Sequence, residues 1–138
     1  MLENKGVKNM IIRYLVILGV SIFVDMFWHV FIAPKLFRNQ IGHLMAEKAK
    51  LHAAVFFYLI NAAAILVFAV NPSLEKQNIL YALGYGGFLG FAMYSTYNFT
   101  NLALLKDWPV KLTLLDLAWG TFSAAATSLI SYGIINFI

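Results

Sequence analysis

Residues 51–70 read LHAAVFFYLINAAAILVFAV, an apolar run that contains no acid, lysine or arginine. A helix rises about 1.5 Å per residue, so about 20 such residues cross a hydrocarbon core of about 30 Å. Comparable runs fill most of the remaining chain, at residues 10–32, 79–100 and 112–135. The sequence therefore predicts an all-α integral membrane protein, an antiparallel four-helix bundle that forms a single domain over residues 1–138.

The composition independently indicates a membrane protein. Hydrophobic residues make up 62% of the chain and charged residues 12%, and the mean hydropathy is +0.77, which exceeds what a soluble domain of this size could bury. The absence of cysteine excludes disulfides, thiolate nucleophiles and Cys-ligated metals. The net charge of +4 lies in the flanks and connections, so we expect membrane lipids as partners and no nucleic acid.

Alternating spans place both termini on one side of the membrane, here called side A, and the first and third connections on the other, side B. Short cytoplasmic loops are enriched in Lys and Arg. Six such residues flank side B and four flank side A, which predicts that side B is cytoplasmic. They are Lys35, Arg38, Lys48, Lys50, Lys106 and Lys111 on side B, and Lys5, Lys8, Arg13 and Lys76 on side A.

Nearly all strongly polar residues inside the spans lie in the half nearest side B. Asp25, Trp28 and His29 occupy the last third of the first span, and Asp116 and Trp119 open the fourth. Hairpin connections gather these distant residues into one cluster, which we predict to be a ligand-binding or proton-handling site. The third span completes it with Tyr94, Tyr97, Asn98 and Asn101.

The two carboxyl groups are the strongest candidates for function. A carboxylate at the centre of a bilayer costs about 2.5–3.5 kcal/mol on insertion scales, so it normally faces the bundle interior and has a partner. Asp25 and His29 are one helical turn apart and can pair directly. The residues with which the Asp116 carboxyl group can pair are His52, Tyr94, Asn98 or a lysine of the third connection. The alternative interpretation is a buried polar network that only fixes the packing.

Two short segments echo each other. Residues 24–28 (VDMFW) and 115–119 (LDLAW) both read apolar-Asp-x-x-Trp, at the side B ends of antiparallel spans. Each Trp lies one turn from its Asp and can form a wall of the pocket around it.

Small residues mark the packing faces, since helices in lipid associate through close contact and hydrogen bonds. These are Gly86 and Gly90 in the third span, and Gly120, Ser123, Thr127 and Ser131 in the fourth.

These same residues carry a resemblance to a family. The stretches 94–103 (YSTYNFTNLA), 106–109 (KDWP) and 115–121 (LDLAWGT), with Asp25-x-x-Trp28, resemble the signature of small bacterial membrane proteins known as domain of unknown function 2177. The resemblance covers essentially the whole chain and implies a multi-pass protein of the bacterial cytoplasmic (inner) membrane, with no established activity. The family often has Asp where this chain has Asn98, which weakens any scheme that needs a third acid.

Catalytic motifs are absent from the sequence. It contains no HExxH, no GxSxG and no phosphate-binding glycine loop, and its His and Asp spacing matches no metal site. We therefore predict no metal and no cofactor, and leave open whether the protein is an enzyme. A through-pore would need several copies of so small a bundle, which would make a homo-oligomer.

Two classes of function fit this pattern. The first is binding or transport of a small molecule or proton in the polar pocket. The second is a membrane-embedded enzyme or accessory factor that binds or acts on lipid, with Asp25, His29 and Asp116 as acid/base groups. The sequence favours the first class slightly and does not identify the ligand.

Overall fold

The computed structural model describes residues 2–138, except for the side chains of residues 2–5 and 7. The chain forms four helical stretches, and no strand occurs within residues 2–138, so the all-α prediction is confirmed. The first stretch comprises α1 (Leu2–Phe27), a π-helical turn (Trp28–Ile32), α2 (Ala33–Ile41) and a 3-10 turn (Gly42–Leu44). The others are α3 (Leu51–Ile65) with a π-helical turn (Leu66–Val70) and α4 (Asn71–Glu75), then α5 (Ile79–Leu104) and α6 (Val110–Phe137).

Each π-helical turn ends two residues before a proline, Pro34 in the first stretch and Pro72 in the second. Proline has no N–H, and its ring clashes with the carbonyl four residues earlier, which in both cases belongs to the π turn. The wider turn accommodates this clash and lets the helical path continue. The first helix therefore extends past residue 32, where the sequence predicts the span to end.

Helices α5 and α6 run in opposite directions and pack through small residues. Gly86 lies against Ser128, and Gly90 lies against Gly120 and Ala124. A β-carbon on Gly86 or Gly90 would overlap these neighbours, so only glycine permits the observed separation of the helices. The predicted Gly-x-x-x-Gly packing face thus contacts α6.

The half of the helices that leads to the turn at residues 76–78 holds an apolar core. Polar contacts flank it: Arg13 Nη1 donates to Asn71 Oδ1 at 3.0 Å, and the Tyr14 hydroxyl donates to the Leu59 carbonyl at 3.0 Å. These bonds tie α1 to the second helical stretch. The buried members of the core are Ile17, Ala62, Ile65, Leu66, Ala69, Val70 and Ala124.

Helix α2 covers the C-terminal end of α5 and the N-terminal end of α6. Its Ile41 packs with Trp108 and Leu112 in a second buried cluster. The indole N–H of Trp108 donates to the Thr113 hydroxyl at 3.1 Å, so the ring is fixed at both its apolar and its polar edge. This cluster closes the end of the molecule next to the polar residues of the predicted site.

Two helices of the described chain, Lys8–Leu44 and Leu51–Glu75, are long and apolar enough to cross a membrane by length and composition. Helices α5 and α6 are of comparable length but do not meet the same hydropathy limit. Their sequences are richer in Gly, Ser, Thr, Tyr and Asn. Part of these residues, among them Gly86, Gly90, Gly120 and Ser128, lie in the contact between the two helices.

Replacing the residue that caps α5 should destabilise the protein modestly. The Asn78 side-chain carbonyl accepts the main-chain N–H of Leu80 at 2.9 Å. Asn78→Ala should lower the free energy of unfolding by about 0.5–2 kcal/mol, because that N–H loses its partner. Asn78→Ser retains a capping oxygen and should stay close to wild type. Denaturant unfolding in detergent measures the difference, and equal midpoints for both variants would contradict the capping role.

Candidate functional site

The two acids of the predicted site are both buried. Asp25 on α1 is 4% exposed and Asp116 on α6 is 5% exposed. The tryptophans that follow them in sequence, Trp28 and Trp119, stack with ring centroids 4.7 Å apart and planes 6° from parallel. The two Asp-x-x-Trp segments therefore meet face to face, and they bring their carboxyl groups into the same region.

Asp116 is held by α5. Asn98 Nδ2 donates to Asp116 Oδ2 at 2.7 Å and also lies 3.1 Å from the main-chain carbonyl of Tyr94. The Asn98 side chain is fully buried, so this bond is shielded from solvent. Of the partners that the sequence leaves open to Asp116, Asn98 makes the bond, whereas His52 is exposed at the start of α3.

The Asp25 carboxyl group points toward other helices. Tyr58 of α3 and Trp119 of α6 lie beside it, and Tyr94 is within electrostatic reach of both acids. Yet Asp25 Oδ1 has no hydrogen-bond partner among the described residues, and the same holds for Trp119 Nε1. Buried polar atoms are rarely left unsatisfied, so Asp25 Oδ1 marks a place where an ion or water could bind, next to the Tyr58 and Trp119 groups that can donate to the same carboxyl group.

His29 does not bond the Asp25 carboxyl group in the described structure. Its Nδ1 instead lies 2.9 Å from the main-chain carbonyl of Asp25, and its side chain is exposed. The expected direct pairing fails because a residue one turn away can reach the main chain as easily as the side chain, and the carboxyl group faces Tyr58 and Trp119 of other helices. His29 still acts electrostatically on both Asp25 and Asp116.

A small, largely polar cavity adjoins Asp25. Its volume, counted as the space open to the centre of a water molecule, is about 10 Å³, which is room for about one water molecule. The residues that line the cavity are Asp25, Phe57, Asn61, Met93, Tyr94, Ser123, Ala124 and Thr127.

Two members of the predicted site lie at its edge. Tyr97 is 49% exposed and makes an edge-to-face contact with Trp108, with centroids 6.1 Å apart. Asn101, one turn further along α5, is half-buried. The structure thus brings Asp25, Trp28, Tyr94, Asn98, Asp116 and Trp119 together, and places His29, Tyr97 and Asn101 around them.

Sequence reasoning left four neighbours of Asp25 out of the site. Tyr58 and Asn61 come from the second span, and Ser123 and Thr127 from the fourth, where they form part of a stripe of small polar residues. The sequence contains a signal for two of them. Tyr58 and Asn61 are polar residues inside an apolar run, and their spacing of three residues places them on one helix face.

Within the described residues, no group of three or more His, Cys, Asp or Glu side chains is arranged to hold a metal ion.

A family model described as "Predicted membrane protein (DUF2177)" matches residues 10–133, nearly the whole chain. No curated protein and no solved structure matches the chain.

Proposed function

This chain belongs to the DUF2177 family of predicted membrane proteins, and we propose that its four helices are antiparallel spans of a bundle in the bacterial cytoplasmic membrane. The distribution of side chains supports this proposal. Large apolar residues such as Phe23 and Phe88 are 76% and 71% exposed, while both acids are buried. A soluble protein has the opposite arrangement, and lipid is the solvent that suits an apolar exterior around a polar interior.

Within this bundle, the Asp25–Asp116 site binds and releases a proton while the protein moves a small ion or solute across the membrane. The observation that carries the proposal is a pair of buried carboxyl groups on which, among the described residues, His29 is the only basic side chain that acts. Removing an unpaired carboxylate from water is costly, so such groups persist where a proton or cation offsets the charge.

The dimensions of the cavity favour an ion over a lipid. A reaction on a headgroup would need a pocket that admits several heavy atoms beside the acids, whereas the cavity beside Asp25 holds about one water molecule. This supports proton or ion transport over the alternative of a lipid-binding or lipid-modifying protein. It also favours a carrier, with one occluded site in each copy, over a pore shared within a homo-oligomer.

The lysines and arginines flanking the helices set the proposed orientation. The side B ends carry six of the ten, so the carboxyl pair lies in the cytoplasmic half of the membrane. The apolar core around Ile17 and Ile65 then separates the site from the opposite surface. Transport therefore requires a conformational change that opens this core, in keeping with alternating access.

Infrared difference spectroscopy of carboxyl bands tests proton binding directly. The wild-type protein in detergent should show carboxyl bands that change with pH, and Asp25→Asn and Asp116→Asn should each remove one contribution. The control is Asp107→Asn, since Asp107 is exposed and has a φ of 60°, a left-handed conformation that Asn tolerates. If both site variants show the same pH-dependent bands as wild type, the buried carboxyl groups do not exchange protons.

A further inference from the structure

We propose that the cavity beside Asp25 is a binding site for one dehydrated monovalent cation, Na⁺ or K⁺, which exchanges with the proton. The inference rests on the proposed function and names the ion that the protein would move. It begins with the chemistry of the cavity wall. Polar side chains of Asp25, Asn61, Tyr94, Ser123 and Thr127 face it, and all five carry oxygen atoms. Oxygen is the ligand that hard, non-transition cations prefer.

The acidic side chain that lines the cavity has one oxygen atom without a hydrogen-bond partner among the described residues, although Tyr58 and Trp119 lie close enough to donate to the same carboxyl group. Asp25 is 4% exposed, lines the cavity, and its Oδ1 has no hydrogen-bond partner among the described residues. The second acid differs in this respect, because Asp116 already accepts a bond from Asn98. Asp25 therefore supplies the negative charge of the proposed site, and Asp116 stands outside the coordination sphere.

The hydroxyl groups of α6 differ in whether they line the cavity. Thr121 and Ser128 donate to the main-chain carbonyls one turn earlier, Leu117 and Ala124, each at 2.8 Å. Such bonds to the helix's own backbone are the usual way for a hydroxyl to be satisfied in a membrane span. Thr127 is 2% exposed and lines the cavity. A hydroxyl oxygen has two acceptor lone pairs, so Thr127 can accept a bound ion even when its proton is donated elsewhere.

The charge and size of the cavity select a monovalent ion. One carboxylate contributes a single negative charge, which one monovalent cation neutralises, whereas calcium sites use several acidic ligands. The free space suits one particle of about the size of a water molecule, so the ion would enter without its hydration shell. Side-chain oxygens would take the place of the lost water.

Cation and proton compete in this arrangement. A carboxylate binds a metal ion only in its deprotonated form, so binding of the cation at Asp25 releases a proton, and protonation expels the cation. No other reactant is needed for this exchange. Alternate occupation by proton and cation is the basis on which a carrier couples their movements.

Thermal unfolding in detergent tests the proposal at constant ionic strength, with choline chloride replaced stepwise by NaCl or by KCl. We expect one of the two salts to raise the melting temperature of the wild-type protein with a saturable dependence, because a bound ion stabilises the folded state. In weakly buffered solution the same addition should release protons. Asp25→Asn should abolish both effects.

A matched pair of variants on α6 keeps the test independent of Asp25. Thr127→Val removes a proposed ligand and should raise the half-saturating salt concentration by about tenfold, as expected for a lost contact to a charged group. Thr121→Val makes the same change at a hydroxyl outside the cavity and should leave that concentration unchanged. If Asp25→Asn fails to fold, the comparison of Thr127→Val with Thr121→Val alone tests the proposed cation site.

The outcomes separate this inference from the proposed function. If neither Na⁺ nor K⁺ changes the melting temperature relative to choline, or if Thr127→Val and Thr121→Val respond alike, the cation site is overturned. The proposal that the site binds a proton then still holds, provided that the carboxyl bands change with pH. If instead a cation stabilises the protein through Thr127 and Asp25 while the carboxyl bands do not respond to pH, the cation site stands and the proton-binding proposal fails.

Discussion

Gly90→Ala should lower the free energy of unfolding by about 1–3 kcal/mol, the usual cost of overpacking a close contact. The added β-carbon would lie 2.6 Å from the Ala124 β-carbon and would overlap the main-chain carbonyl of Gly120. Neither neighbour is the end of a flexible side chain, so α5 and α6 must move apart. That movement would also disturb Tyr94, which packs on Gly120 one turn closer to the buried acids.

Gly84→Ala, on the same helix, provides the matched control. A β-carbon at Gly84 would meet no atom within 4 Å. This variant should be as stable as wild type or slightly more stable, since alanine favours the helix relative to glycine. Denaturant unfolding of the two variants in the same detergent gives the comparison. Equal stabilities for Gly90→Ala and Gly84→Ala would contradict the close packing of α5 on α6.

Asn98→Leu is the second substitution with a large expected effect. It removes the amide that donates to Asp116 Oδ2 at 2.7 Å and leaves a buried carboxyl group without that partner. We expect a loss of about 1–3 kcal/mol in the free energy of unfolding, the penalty for leaving a buried polar group unsatisfied. Asn136→Leu makes the same change at an exposed position of α6 and should fall within about 0.5 kcal/mol of wild type.

A double-mutant cycle isolates this contact from the packing change. Asn98→Leu, Asp116→Leu and the double variant should give a coupling energy of about 0.5–3 kcal/mol, because the two residues bond each other directly. The double variant should be more stable than the sum of the single losses implies, since it leaves no unpaired group behind. Additive losses would show that Asn98 stabilises the protein through some contact other than Asp116.

The sequence was sufficient to predict the helices, because hydropathy and span length depend only on the residues in each run. It did not predict where the first helix ends. Pro34 reads as a helix breaker, yet the π-helical turn at Trp28–Ile32 accommodates it and α2 continues the path. Whether a helix continues past a proline depends on how the following residues pack. Here α2 packs against Trp108 and Leu112, which are distant from it in sequence.

The site could be predicted only at the level of helix faces. Hairpin connections bring Asp25 and Asp116 to the same end of the helices, and the shared Asp-x-x-Trp pattern anticipates that the two tryptophans meet. The partner of each acid depends on side-chain direction and helix separation. The bond from Asn98 to Asp116, the turn of His29 toward the main chain, and the oxygen of Thr127 beside the cavity all follow from packing that a single sequence does not reveal.

Proton flux in reconstituted vesicles tests the central claim most directly. Purified protein would be placed in liposomes that contain a pH-sensitive dye, and an imposed ion gradient would drive exchange. Wild type and the exposed-acid control Asp107→Asn should both change the internal pH, whereas Asp25→Asn and Asp116→Asn should reduce the rate to that of protein-free liposomes. Wild-type flux in both site variants, at equal amounts of folded protein, would contradict the assignment of Asp25 and Asp116 as the groups that carry the proton.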